Sequence, residues 1–162
     1  MSNKAIFLDR DGTIIFDHGY IKDPNLVELL PKAKEALQLL KNAGFKIFIT
    51  TNQSGVGRGM MTISDVQKVN TKMTELLGDD LITEILICQH DPNENCECRK
   101  PKIGLIKKVD KKYDIDLKAS YSIGDKDSDK ELGINMGGKG IKLGEDGITS
   151  IWDAAIKISS KK

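Results

Sequence analysis

Short apolar runs alternate with amphipathic stretches along the chain. Ala5-Ile6-Phe7-Leu8 is continuously apolar and stops at Asp9, the pattern of a strand buried on both faces. From Pro31 to Ala43, the positions Ala33, Ala36, Leu37 and Leu40 recur at helical spacing, with Pro31 suited to the first turn and Gly44 to the stop. Phe45 to Ile49 reads as a second strand that ends at Thr50-Thr51-Asn52. A second helix is predicted from about Ser64 to Leu77, with Val66, Val69, Met73 and Leu76 on one face; Ile85-Leu86-Ile87 follows as a third strand. Leu105, Ile106, Val109 and Tyr113 mark a third helix, and Tyr121 and Ile123 a fourth strand that ends at Gly124-Asp125. A short helix near Asp127 to Met136 and a strand near Gly140 to Leu143 come next. The last helix is capped by Ser150 and carries Ile151, Ala154, Ala155 and Ile158.

Strands alternating with helices imply right-handed βαβ units. The predicted class is therefore α/β, a Rossmann-like parallel sheet flanked by helices on both faces. The 162 residues suit a single domain, 1–162, and the 39% hydrophobic content suits an ordinary globular core. In such a sheet a ligand binds beyond the carboxyl ends of the strands.

Four of those ends are polar. The first is Asp9-Arg10-Asp11-Gly12-Thr13. Carboxylates at i and i+2 of an extended backbone point the same way and repel unless a cation or proton lies between them. That favours metal-assisted phosphoryl chemistry over a plain turn. The second, Thr51-Asn52-Gln53-Ser54-Gly55, offers hydroxyl, amide and backbone N–H groups to phosphate oxygens, while Gly55, Gly57 and Gly59 read equally well as a flexible loop. Arg99-Lys100 precedes the third helix and pairs a guanidinium fork with a point charge. The fourth end carries Asp125 and Asp129, one helical turn apart; in isolation they read as helix-capping acids.

All three cysteines lie between residues 88 and 98, as Cys88-Gln89-His90 and Cys96-Glu97-Cys98. Three thiols and one imidazole make a tetrahedral Zn²⁺ set, so Cys88, His90, Cys96 and Cys98 are expected to hold a structural zinc that fixes the loop before Arg99 and Lys100.

The ordered set of D-x-D-G-T, Thr51, Lys100 and Gly124-Asp125 with Asp129 resembles the haloacid dehalogenase-like (HAD) phosphatases over nearly the whole chain. That resemblance implies Asp9 as the nucleophile and Asp11 as general acid and base. It implies Thr51 and Lys100 as holders of the transferring phosphoryl, and Mg²⁺ on Asp9, Asp125 and the backbone carbonyl of Asp11, with Asp129 in support. No stretch of the sequence is long enough for a cap domain. This narrows the resemblance to the capless, zinc-loop histidinol-phosphate and heptose-bisphosphate phosphatases. The loop Asp17-His18-Gly19-Tyr20, with Asn52, Gln53, Ser54, Arg99 and Lys126, matches substrate-contacting positions on the heptose-bisphosphate side; the short spacing between Cys88 and Cys96 also suits the histidinol-phosphate side.

Net charge limits the partners. With 25 Lys+Arg against 24 Asp+Glu, the formal charge is +1, and no basic stripe marks a nucleic-acid face, which disfavours a 3′-phosphatase for polynucleotide ends. A phosphorylated receiver-like module is disfavoured too, because the middle strand ends at Cys88 and not at an acid. No apolar run approaches 18 residues, and polar Asp9 and Arg10 come too early for a signal peptide. The expectation is a cytoplasmic monomer that acts on a small phosphorylated metabolite, without nucleic acid or membrane.

Overall fold

The computed structural model describes residues 2–78 and 80–161. Its five strands are β1 (Lys4–Leu8), β2 (Phe45–Asn52), β3 (Glu84–Cys88), β4 (Tyr121–Gly124) and β5 (Lys139–Lys142). All pair in parallel in the order β3-β2-β1-β4-β5. Leu8 lies opposite Ile49 on one side and Ile123 on the other, so the three central strands end at one level. The connections from β1 run to β2 and later return to β4 on its other side, which makes that level the switch point of the sheet.

Alternation along the strands builds two cores. Ile6, Leu8, Ile47, Ile49 and Ile123 belong to one, with buried residues of α1 (Ala33–Asn42), α3 (Ile63–Leu77) and α6 (Ile151–Ser159). Ala5, Phe7, Phe48 and Leu86 belong to the other, with Leu105 and Ile106 of α4 (Gly104–Lys107) and Leu132 of α5 (Asp127–Asn135). There the Phe7 and Phe48 rings stack at 5.2 Å, and Tyr113 meets Phe48 edge-on at 5.3 Å. The predicted two-faced burial is therefore observed.

Several boundaries differ for physical reasons. β2 runs on to Asn52, because Thr51 and Asn52 pair with Ile87 and Cys88 and both threonines are buried. Pro31 precedes α1, which starts only after Lys32 takes a left-handed turn at φ 60°. α3 opens at Thr62, where Thr62 and Asp65 cap each other reciprocally. Its apolar face closes on Leu77, while Leu76 is exposed. The third predicted helix keeps only Gly104–Lys107; Val109 and Tyr113 reach the core from the turns that follow.

Among the described residues, nothing of domain size interrupts the chain between Thr13 and α1. That stretch holds one 3₁₀ turn, Pro24–Leu26, and an isolated bridge from Ile15 to Leu29. No helix is long and apolar enough to cross a membrane.

Phe48 is the central side chain of the second core. Phe48→Ala is expected to cost about 3–5 kcal/mol of folding stability, read as a lower denaturation midpoint in guanidinium. A loss below about 1 kcal/mol would show that this aromatic cluster does not hold the helices to the sheet.

Candidate active site

The site is built around one buried ammonium. The backbone N–H of Asp9 donates to the Ile123 carbonyl, which fixes the expected nucleophile as β1 ends. Lys100 is buried, and its Nζ donates to Asp9 Oδ1 at 3.0 Å, Asp129 Oδ1 at 2.7 Å and the Thr50 carbonyl at 2.7 Å. Its backbone N–H donates to Asn52 Oδ1 at 3.1 Å. One residue thus joins the ends of β1 and β2 to the first turn of α5. Burial favours the neutral amine, yet Asp9 and Asp129 outweigh it and hold the Lys100 pKa above the ordinary lysine range.

Carboxylate oxygens of Asp9, Asp125 and Asp129 lie within 4.8 Å of one another. Asp129 already has partners: Lys100 on Oδ1 and the Lys126 backbone N–H on Oδ2 at 3.2 Å. Asp125 does not, since its buried Oδ1 has no hydrogen-bond partner. Burial and then the neighbouring Asp9 push the Asp125 pKa up to about 6. A hard cation between Asp9 and Asp125 satisfies both conditions, so the donor set fits Mg²⁺. The motif glycines make room for these acids. A Cβ on Gly12, which has φ +80°, would sit 2.3 Å from Asp125 Oδ2, and one on Gly124 would sit 2.1 Å from Asp129 Oδ2.

Asp11 follows Asp9 by two residues. Burial, and secondarily the Asp9 charge, raise its pKa despite the opposing effect of Arg10. Gln53 Nε2 donates both to Asp11 Oδ2 at 3.1 Å and to Thr51 Oγ1 at 2.7 Å, which ties the expected acid to the expected phosphoryl holder. Arg10 was not among the residues expected to act, yet it is fully buried and donates to both Asp11 oxygens and to Asn70 Oδ1. An arginine just past a strand looks like a solvated charge. The available signal was Asn70, a lone amide on the apolar face of α3 beside Val66, Val69 and Met73.

A cavity of about 390 Å³ opens over Asp11 and Lys100. Asp17, Gly19 and Tyr20 line it from the loop after β1, Asn52, Gln53 and Ser54 from the end of β2, and Arg99 and Lys126 from the far wall. Ser128 joins them, unforeseen. Of the expected contact residues only His18 is missing; its side chain is exposed outside the cavity. Arg99 Nη1 is buried without a partner. Gly55 and Gly57 after β2 are packing devices, whereas a Cβ on Gly59 would meet nothing within 4 Å. Ser54–Gly57 forms a helical turn, α2, and a Cβ on Gly55 would meet Tyr20 Cδ1 at 2.8 Å, one on Gly57 the Asp91 N–H nitrogen at 2.4 Å.

The model of the polynucleotide kinase 3 phosphatase family matches residues 4–138. The chain belongs to this family. It is 42% identical over 137 residues to the D-glycero-beta-D-manno-heptose-1,7-bisphosphate 7-phosphatase of Helicobacter pylori, covering 83% of this chain and 79% of that one. It is 39% identical over 147 residues to the Histidine biosynthesis bifunctional protein HisB of Blochmanniella floridana, covering 88% of this chain but 41% of that protein. In structure it resembles D,D-heptose 1.7-bisphosphate phosphatase from B. bronchiseptica complexed with magnesium and phosphate, with TM-score 0.84, 26% identity and coverage of 96% and 97%. The chain is thus a HAD-type phosphatase, a phosphoric monoester hydrolase.

In this phosphatase the cysteine loop assembles three of the four expected zinc donors. Cys88 Sγ lies 2.7 Å from Cys98 Sγ and 3.6 Å from Cys96 Sγ. Burial, then the Cys98 thiol, push the Cys88 pKa up to about 12. Burial acts the same way on Cys96, but the backbone N–H of Arg99 leads a set of donors that lowers it to about 7. Three sulfurs this close, one already inclined to thiolate, suit a soft cation. His90 stands outside the cluster, because its Nδ1 is hydrogen-bonded at 2.8 Å to Glu94, the acid that caps the turn Pro92–Glu94.

The raised pKa of Asp125 sets a stability signature for the metal-free enzyme. The folded form keeps a proton that the unfolded chain, with Asp at 3.8, releases earlier, so ionisation of Asp125 progressively destabilises the fold between pH 4 and about 6. Asp125→Asn is expected to gain stability relative to metal-free wild type across that window and then level off. Added Mg²⁺ should reverse the order. A thermal-midpoint difference that stays flat with pH would remove Asp125 from the acid cluster.

Proposed function

We propose that this phosphatase removes the 7-phosphate of D-glycero-D-manno-heptose 1,7-bisphosphate, in a Mg²⁺-dependent reaction through an aspartyl-phosphate on Asp9. The observation that carries the substrate is the spare positive charge on the cavity wall. Lys100 is committed to Asp9 and Asp129, so the unpartnered Arg99 Nη1, with Lys126, serves a second anion. A sugar bisphosphate supplies that anion; histidinol phosphate carries an ammonium group instead. The names of the Helicobacter pylori and B. bronchiseptica relatives support the same choice. The net charge of +1 and the walled cavity favour a small metabolite over a polynucleotide.

The chain's own groups divide the chemistry. Lys100 orders the Asp9 carboxylate through Oδ1, and a carboxylate oxygen attacks phosphorus as the ester P–O bond breaks. Asp11, kept protonated to higher pH than usual, gives its proton to the leaving oxygen. Asp11 then takes a proton from the water that attacks the acyl phosphate, releasing inorganic phosphate and restoring Asp9. Thr51 and Lys100 hold the transferring oxygens. Mg²⁺, held by Asp9, Asp125 and the backbone carbonyl of Asp11, supplies the charge that lets two anions meet. Structural Zn²⁺ is assigned to Cys88, Cys96 and Cys98. His90 is the fourth donor in this reading, since its bond to Glu94 takes Nδ1 and leaves Nε2 free.

Kinetics on both heptose 1,7-bisphosphate anomers, histidinol phosphate and a simple monoester test the substrate. The bisphosphate is expected to give the highest kcat/KM, and Arg99→Ala to lower that value by about ten- to a hundredfold, with little effect on the simple monoester. A higher kcat/KM on histidinol phosphate would replace the proposed substrate. Asp9→Asn should abolish turnover with the fold intact. Purified protein should contain about one zinc per chain, and His90→Ala should hold it less tightly.

A further inference from the structure

Among the described residues, Arg10 has the least accessible charge. It is 0% exposed, and a guanidinium withdrawn from water is expensive unless its donors are matched. Here they are matched by two side chains. Nε donates to Asp11 Oδ2 at 3.1 Å, Nη2 to Asp11 Oδ1 at 3.2 Å, and Nη1 to Asn70 Oδ1 at 2.9 Å. Nη2 also lies 3.1 Å from Oδ2, so the fork touches both oxygens of one carboxylate and fixes its position and plane. Asn70 belongs to α3, 60 residues along the chain from Arg10, so the fork is anchored outside the loop that it orders.

The contacts also distinguish the two Asp11 oxygens. Each carboxylate oxygen has two lone-pair positions. Those of Oδ2 are both filled, by Arg10 Nε and by Gln53 Nε2 at 3.1 Å. Oδ1 accepts one donor, Arg10 Nη2, and keeps one position open. We propose that Arg10, anchored by Asn70, is a positioning residue that holds Asp11 so that Oδ1 carries the proton in both halves of the reaction. This rests on Asp11 being the acid and base under the proposed function. In the first half Oδ1–H protonates the leaving oxygen as its bond to phosphorus breaks; in the second Oδ1 takes the proton of the attacking water. Asn70 touches no reacting group and acts only through Arg10.

The test exploits leaving groups. An alkyl phosphate needs its leaving oxygen protonated, whereas p-nitrophenolate leaves without help. The kcat/KM value reports the steps up to departure of the leaving group, while kcat also includes attack by water. In Arg10→Met, kcat/KM for the primary heptose phosphate is expected to fall about a hundredfold. For p-nitrophenyl phosphate, kcat/KM should stay within about threefold while kcat falls, with a burst of p-nitrophenolate, because Asp11 is misplaced as base. Asn70→Leu should show the same split at about tenfold. It decides the matter if Arg10→Met fails to fold by circular dichroism. Asp11→Asn is the reference: a missing split there would remove Asp11 from its role, and the proposed function with it. A split in Asp11→Asn, with both esters falling equally or neither changing in folded Arg10→Met and Asn70→Leu, overturns the positioning role alone.

Discussion

The structure turns on one ammonium placed among three carboxylates. Lys100 ends up buried between Asp9 and Asp129, with the Thr50 carbonyl closing its third donor. Removing any partner from such a set leaves an uncompensated charge in a dry site, which costs more than the pair contributes to stability. The geometry of β1, β2 and the start of α5 is therefore coupled: none can shift without exposing the mismatch. Yet a single ammonium does not neutralise three acids. The deficit appears at Asp125, whose unpartnered Oδ1 and raised pKa are two readings of one shortage of positive charge. The cluster proposed to bind a cation and a phosphoryl group is thus the part of the fold left electrostatically incomplete.

The shape of the sheet determines where this incompleteness falls. Continuous apolar strands stop abruptly at the level of Leu8, Ile49 and Ile123, and each chain turns polar one to three residues later. Burial on both faces means that these residues have nowhere to point except out of the carboxyl edge. No inserted domain covers that edge among the described residues, so the cavity walls are loops. Arg58 cross-links two of them: it donates to the Tyr20 hydroxyl at 2.9 Å and pairs with Asp91 at 3.4 Å. Through this exposed link the substrate-side loop leans on the segment that begins the cysteine cluster, with Gly55 and Gly57 permitting the close approach.

Much of this arrangement is legible in the sequence, for a definite reason. The switch from apolar run to Asp, Thr or Gly-Asp marks each strand end locally, and a parallel α/β order brings those ends together. Asp9, Asp11, Thr51, Lys100 and Asp125 are found that way, and most of the cavity wall follows from the resemblance they carry. What is not legible depends on partners far apart in the chain. Arg10 and Asn70 look like a surface charge and a stray polar residue until the fold buries them against each other. His18 and His90 are hard to place for the opposite reason. A histidine in a polar loop carries no pattern that says which way it faces, and Glu94, four residues on, engages only Nδ1 of His90. The glycines of α2 suggested mobility, but each answers a specific close contact. The third helix shortened because its apolar spacing is met equally well by turns.

A charge argument connects the buried groups. Arg10 and Lys100 each hold one of the two acids to which the proposed reaction is assigned, Arg10 on Asp11 and Lys100 on Asp9. Each cation favours the ionised form of its partner, which suits a nucleophile but opposes a general acid. In the proposed reaction Asp11 carries a proton when the ester breaks and loses it before water attacks, which requires that the cation beside it not dominate. Burial and the Asp9 charge supply the counterweight and leave its pKa raised in spite of the guanidinium. Under the proposed reaction, two aspartates two residues apart would thereby take different roles from the same pair of ingredients, a buried cation and a low-dielectric pocket.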